Sequence, residues 1–176
     1  VFYKSISDSH YLIDNTFKEK DKLSCNTFDI FNFVHQEPWT QSLRGKRVLF
    51  ISSFTNVIKD LIENRQSIYG IDLFPDCQMY TIDLIDNNPN NKNEFNLELQ
   101  QMCVKLNKLV DTYDIALISC KGYGNLIADY IYSCGKSAIN IGDILQTYWG
   151  IFDSKMLTEY PDILRMYLNK AWKRIK

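Results

Sequence analysis

The stretch from Asp114 to Gly124, Asp-Ile-Ala-Leu-Ile-Ser-Cys-Lys-Gly-Tyr-Gly, carries the residue types that hold an anion. A short apolar run ends in two glycines one residue apart, and a helical pattern from Leu126 to Cys134 follows. In open parallel sheets, ligands collect beyond the carboxyl ends of the strands. A helix that starts there turns backbone N–H groups and the positive end of its dipole towards a phosphate. Gly122 and Gly124 permit close backbone approach, Lys121 adds a cation, and the Tyr123 ring can stack on a base or a sugar. The full GxGxxG spacing of a dinucleotide site is absent. A tight strand-to-helix turn without a ligand is the plainer alternative, and these residues alone do not choose between the two.

A second turn of the same kind is Asn140-Ile141-Gly142-Asp143. Gly142 lets the chain turn, and Asp143 either caps the next helix or reaches a ribose or a metal; capping is the commoner use of such a residue. Gln146, one turn further on, points near the same mouth if the strands are neighbours. Ser52 and Ser53 close an earlier strand. Their hydroxyls face the same crevice or cap the following helix, and capping is again the expectation. Neither His10 nor His35 has partners at metal-ligand spacing. There is no GxSxG nucleophile elbow and no GxxxxGK[ST] phosphate loop, so serine-hydrolase and P-loop chemistry fall away.

These turns need a scaffold that brings strand ends together. Val48-Leu49-Phe50-Ile51 is a short, continuous apolar run, the pattern of a strand buried on both faces, and Asp114-Ile115-Ala116-Leu117-Ile118-Ser119 reads as another. Asp76 to Ile85 alternates around Met79, Thr81 and Asp83 as a further strand, and Ser137 to Ile141 reads as a fourth. Between them, Thr55 is expected to cap a helix with Val57, Ile58, Leu61 and Ile62 on one face. Glu94 to Tyr113 repeats Phe95, Leu99, Met102, Leu106 and Leu109 at helical spacing, and Gly135 stands where a glycine ends a helix. Asp86 to Asn91 is a polar loop, and Asn26 to Phe33 reads as a strand or a short helix. Asp143 to Trp149 forms a short helix. The segment from Leu157 to Ile175 is a polar-faced helix broken near Pro161, with Arg165, Lys170, Lys173, Arg174 and Lys176 on its solvent side. Strands alternating with helices predict an α/β fold: an open, mostly parallel, Rossmann-like sheet with helices on both faces. With 176 residues, one such domain is expected, residues 1–35 being the segment with no assigned place.

The formal net charge is −1, which argues against nucleic acid as the main partner. Five cysteines, none in a CxxC pair, suit reduced thiols in a cytoplasmic-type compartment rather than disulfides or zinc. No apolar run reaches the roughly 20 residues that span a bilayer, and no leader pattern precedes the first turn. The chain starts at Val1 rather than methionine, so a longer parent chain is expected.

Three ordered segments resemble a known family. They are Glu37-Pro38-Trp39 with Leu43 to Phe54, then Asp114 to Gly124, then Gly135 to Ile151; Glu159-Tyr160, Leu168-Asn169 and Trp172 fit the ending. The family is glycosyltransferase-like, encoded among polysaccharide genes of bacteria and giant viruses, and is similar to the GT-D class of glycosyltransferases. The resemblance covers residues 36–176. It implies transfer of a sugar from a nucleotide-diphosphate sugar to a glycan acceptor, with a divalent metal, manganese or magnesium, on the diphosphate. It also implies nucleotide-sugar contacts from Ser52, Ser53, Lys121, Gly122, Tyr123, Gly124, Asn140, Gly142 and Gln146. Asp143, the only carboxylate of the set, is the candidate catalytic base. Several positions depart from the pattern: Ser52 and Asn140 stand where the family has histidine, Asp143 where it has glycine, and Lys155-Met156 where it has arginine-tryptophan. One glycine of the turn is shifted by a position, and the family's N-terminal acidic motif is missing from this sequence. A non-catalytic relative that binds a sugar-nucleotide or a partner transferase, and a plain interaction domain, therefore stay open beside the enzyme.

Overall fold

The computed structural model describes residues 37–74, 76–84 and 92–175. All of them fall in one unit, Glu37–Lys176. The expectations for Asn26 to Phe33, for His10 and His35, for Cys25 and for the loop Asp86 to Asn91 lie outside the described residues.

Four segments become the strands of one parallel sheet. They are β1 (Arg47–Ser52), β2 (Gln78–Asp83), β3 (Ile115–Ser119) and β4 (Ser137–Asn140), in the spatial order β2-β1-β3-β4. The two central strands are the two continuous apolar runs, and Val48 to Ile51 and Ala116 to Ile118 are fully buried. That burial on both sides is why they lack an alternating pattern. The outer strands β2 and β4 are half-exposed and carry polar residues.

Two helices cover one face. Leu49, Ile51, Ala116 and Ile118 pack with Met102 and Leu106 of α3 (Lys92–Leu109) and with Ile127 and Ile131 of α4 (Gly124–Ser133). The other face is aromatic. Phe50 meets Phe74 and Trp149 edge-on, at centroid distances of 5.3 and 5.2 Å, and Phe74 stacks on Trp149. Full burial of one such side chain contributes about 1.5–3 kcal/mol. Trp149 closes the short helix α5 (Ile144–Tyr148). The connection from β1 to β2 holds α1 (Thr55–Leu61) and α2 (Gln66–Tyr69), which bury Ile58, Leu61 and Ile68.

Helix α3 ends at Leu109, before Tyr113, because Thr112 closes a turn onto the Leu109 carbonyl with both its N–H and its hydroxyl. Thr55 is the first residue of α1, not its cap, and no side chain caps that helix. Its hydroxyl is buried without a partner.

The segment expected as one interrupted helix from Leu157 to Ile175 is different. It forms α6 (Ser154–Glu159) and α7 (Pro161–Tyr167), and the chain then leaves the helix and turns at Lys170 and Ala171. Lys173–Arg174 forms β6, which pairs in parallel with β5 (Ile151–Phe152). Tertiary bonds override helix propensity here. The Asn169 amide and the Trp172 indole N–H both donate to the Ile68 carbonyl, at 2.9 and 3.2 Å, and Trp172 is buried. The basic residues Lys170, Lys173 and Arg174 are exposed but share no helix with Arg165. Among the described residues, no helix is long and apolar enough to cross a membrane.

Candidate functional site

The strand order fixes where a ligand can sit. After β1 the chain moves to β2 on one side; after β3 it moves to β4 on the other. The neighbouring strands β1 and β3 thus send their following segments apart, which is the switch point where open α/β sheets place a ligand. Ser52 and Ser119 are register partners there, so the loops that follow them are side by side.

Ser52 is buried and works for the backbone. Its hydroxyl accepts from the Phe54 N–H at 3.1 Å, and its carbonyl accepts from the Leu84 N–H at 3.2 Å. This is a local turn bond to the residue before α1, not the helix cap expected of a serine here, since no side chain caps α1. Ser53 is exposed. Asp83, at the end of β2, is exposed and is the other register partner of Ser52, so it joins this edge as a carboxylate the sequence reading left out of the site.

The glycine turn is a single 3-10 turn, Lys121–Tyr123, running directly into α4. Its strain sits on Lys121, at φ +43°, not on a glycine. The two glycines do different things. At Gly124 an added Cβ would lie 2.5–2.7 Å from the Asn140 side chain, so this glycine lets β4 and α4 meet. The Asn140 amide there donates to the Asn125 side-chain oxygen at 2.7 Å. At Gly122 nothing lies within 4 Å of such a Cβ, and φ is not positive. Neither packing nor conformation requires a glycine at this exposed position. Lys121, also exposed, stands next to it.

Tyr123 is not available to a base or a sugar. Its ring lies inside the sheet–helix core, stacked on Phe95 with centroids 4.2 Å apart, and its hydroxyl donates to the Glu98 carboxylate of α3. Burial, reinforced by that bond, pushes the Tyr123 hydroxyl up to about 12. The ring turns inward because it lies on the face that meets α3, together with Ile127 one turn on. Cys120 is likewise fully buried, and burial pushes its thiol up to about 12, so it is no nucleophile at neutral pH.

At the end of β4, the N–H groups of Ile141 and Gly142 both donate to the Ile118 carbonyl, at 2.9 and 3.1 Å. Gly142 has φ +68°, the conformation that lets the chain turn back. Asp143 occupies the cap position of α5 but makes no side-chain cap bond, so the expected cap is not formed and the exposed carboxylate faces solvent. Gln146 is half-buried in α5.

The expected site residues thus share one edge of one sheet, with Ser52, Tyr123 and Gly124 serving structure and Ser53, Lys121, Gly122 and Asp143 presented outward. Glu98 escaped the sequence reading. The signal was there: it is three residues after Phe95 and four before Met102, on the apolar stripe of α3. Among the described residues, no group of three or more His, Cys, Asp or Glu side chains could hold a metal ion. No family model, no curated protein and no solved structure matches this chain.

Proposed function

We propose that this chain is a glycosyltransferase-like domain that holds a nucleotide-diphosphate sugar at the crevice between β1 and β3. The observation that carries the reading is Gly122. It is an exposed glycine that neither packing nor φ requires, placed between a lysine and a helix start where parallel sheets bind ligands. Close approach by a diphosphate accounts for it. In this reading Asp143 takes the proton of the acceptor hydroxyl, and the free thiols suit a cytoplasmic-type compartment. A divalent metal on the diphosphate would take phosphate oxygens and one or two carboxylates, for which Asp83 and Asp143 are the exposed candidates at this edge.

Gly122→Ala provides the test. The substitution should leave thermal stability within about 0.5 kcal/mol of the parent, as at other open surface positions. It should weaken binding of a nucleoside-diphosphate sugar at least tenfold in calorimetric titration. Unchanged affinity would remove the diphosphate from this turn.

The use of Tyr123, Gly124 and Asn140 for packing favours a second reading, a domain that binds a sugar-nucleotide without transferring the sugar. Release of nucleoside diphosphate in the presence of a glycan acceptor separates the two. Turnover that Asp143→Asn abolishes while binding persists supports the enzyme; binding without turnover supports the second reading.

A further inference from the structure

Beneath the glycine turn lies a polar pair that packing alone does not explain. Glu98 is only 7% exposed. One of its oxygens accepts from the Tyr123 hydroxyl; the other is buried with no hydrogen-bond partner. The carboxylate borders a small cavity whose remaining walls, Leu84, Met102, Tyr123 and Ile127, are almost wholly apolar. A carboxylate desolvated for a single hydrogen bond is costly, and a phenylalanine against a leucine would fill the same space without that cost. Such a group calls for an explanation beyond filling the core.

Its place in the chain supplies one. Tyr123 is the last residue of the turn that carries Lys121 and Gly122, and its N–H closes that turn onto the Cys120 carbonyl at 2.9 Å. Lys121 is held at φ +43°, a conformation a non-glycine residue keeps only when its surroundings enforce it. The ring stack on Phe95 is apolar and sets the plane of Tyr123. The bond to Glu98 adds a directional tie from the turn to α3.

We propose that Glu98 and Tyr123 are a positioning pair, which sets the backbone of the Lys121–Gly122 turn for a diphosphate that neither side chain touches. This deepens the nucleotide-sugar reading and rests on it for the identity of the ligand, but the positioning itself is measurable without ligand.

Three variants test it: Tyr123→Phe, which keeps the ring and its stack; Glu98→Gln, which keeps an acceptor for the hydroxyl; and Glu98→Ala, which keeps neither acceptor nor bulk. The first measurement is hydrogen exchange at the Tyr123 and Gly124 amides, read against amides of β1 and β3 in the same molecule. Tyr123→Phe and Glu98→Ala should speed exchange at the turn at least tenfold relative to the strands, and Glu98→Gln should stay near the parent rate. The second is calorimetric titration with pyrophosphate and with nucleoside-diphosphate sugars. Affinity should fall at least tenfold in Tyr123→Phe and be restored in Glu98→Gln.

Uniform acceleration across turn and strands in Tyr123→Phe would make the pair a stabilising contact only, and would overturn the proposal. So would unchanged affinity in a variant whose turn exchange has risen. If the parent chain binds none of the probes, the nucleotide-sugar reading fails, and the exchange data still decide whether the pair holds the turn. Failure of Glu98→Ala to fold leaves Tyr123→Phe and Glu98→Gln to give the answer.

Discussion

A methyl group added at Gly124 would stand 2.5–2.7 Å from three atoms of the Asn140 side chain, whereas one added at Gly122 would meet nothing. Gly124→Ala should therefore destabilise the fold by about 1–3 kcal/mol through overpacking. Asn140→Ala in the same chain should recover much of that loss, which a double-mutant cycle in urea would measure. At the opposite end of the same strands, the Arg47 guanidinium grips Asp114 through Nε and Nη2, and the Arg47 backbone N–H donates to the same carboxylate. These bonds, with the side-chain bonds the larger cause, lower the Asp114 carboxyl from 3.8 to about 2. A carboxylate held below its unfolded value adds stability that is complete above about pH 4 and is lost as pH falls towards 2. Asp114→Asn should flatten that limb of the stability–pH curve in denaturant titrations, and the parent should show it. Asp114 was legible in the sequence only as the start of a strand, which begins one residue later at Ile115. Its partner lies 67 positions away, and no local pattern announces a pair of that separation.

Among the elements, the sheet strands and their helices were legible because each has a local period: two buried apolar runs, one alternating strand, and the 3.6-residue stripe of α3. The last segment was not. Its residues from Leu157 onward are good helix formers, and the chain leaves the helix after Tyr167 because distant groups reward it for doing so. Ile68 offers one carbonyl to both Asn169 and Trp172, and Gly150 lies so close that an added Cβ would come within 2.7 Å of Ile68 and 3.3 Å of Trp172. Gly150 also has φ +61°. Gly150→Ala thus carries conformational strain and a clash together, and should cost about 2 kcal/mol or more. Trp172→Ala removes the buried indole and should cost about 3–5 kcal/mol. Both are read from urea midpoints at constant m-value. The inward turn of Tyr123 has the same origin as the bend after α7. A ring drawn as an exposed stacking surface from its neighbours in sequence goes where a partner from another helix receives it.

For the molecule as a whole, the order β2-β1-β3-β4 places the candidate crevice before any side chain is considered, and the residues offered to it come from loops far apart in sequence. The order also has a consequence during synthesis. β1 is the hydrophobic centre of the sheet, yet one of its two neighbours, β3, leaves the ribosome more than sixty residues later. At the usual pace of translation, roughly 5–20 residues per second, the run Val48 to Ile51 waits several seconds with a bare edge. The contacts that complete the aromatic side come later still: Trp39 bonds to Tyr148 across 109 positions, and Trp172 to Ile68 across 104. A nascent chain halted just after Ser119 can assemble the three strands β2-β1-β3 but has neither Trp149 nor Trp172 to seal their second face. Until Trp172 has emerged, that face stays open to other apolar surfaces.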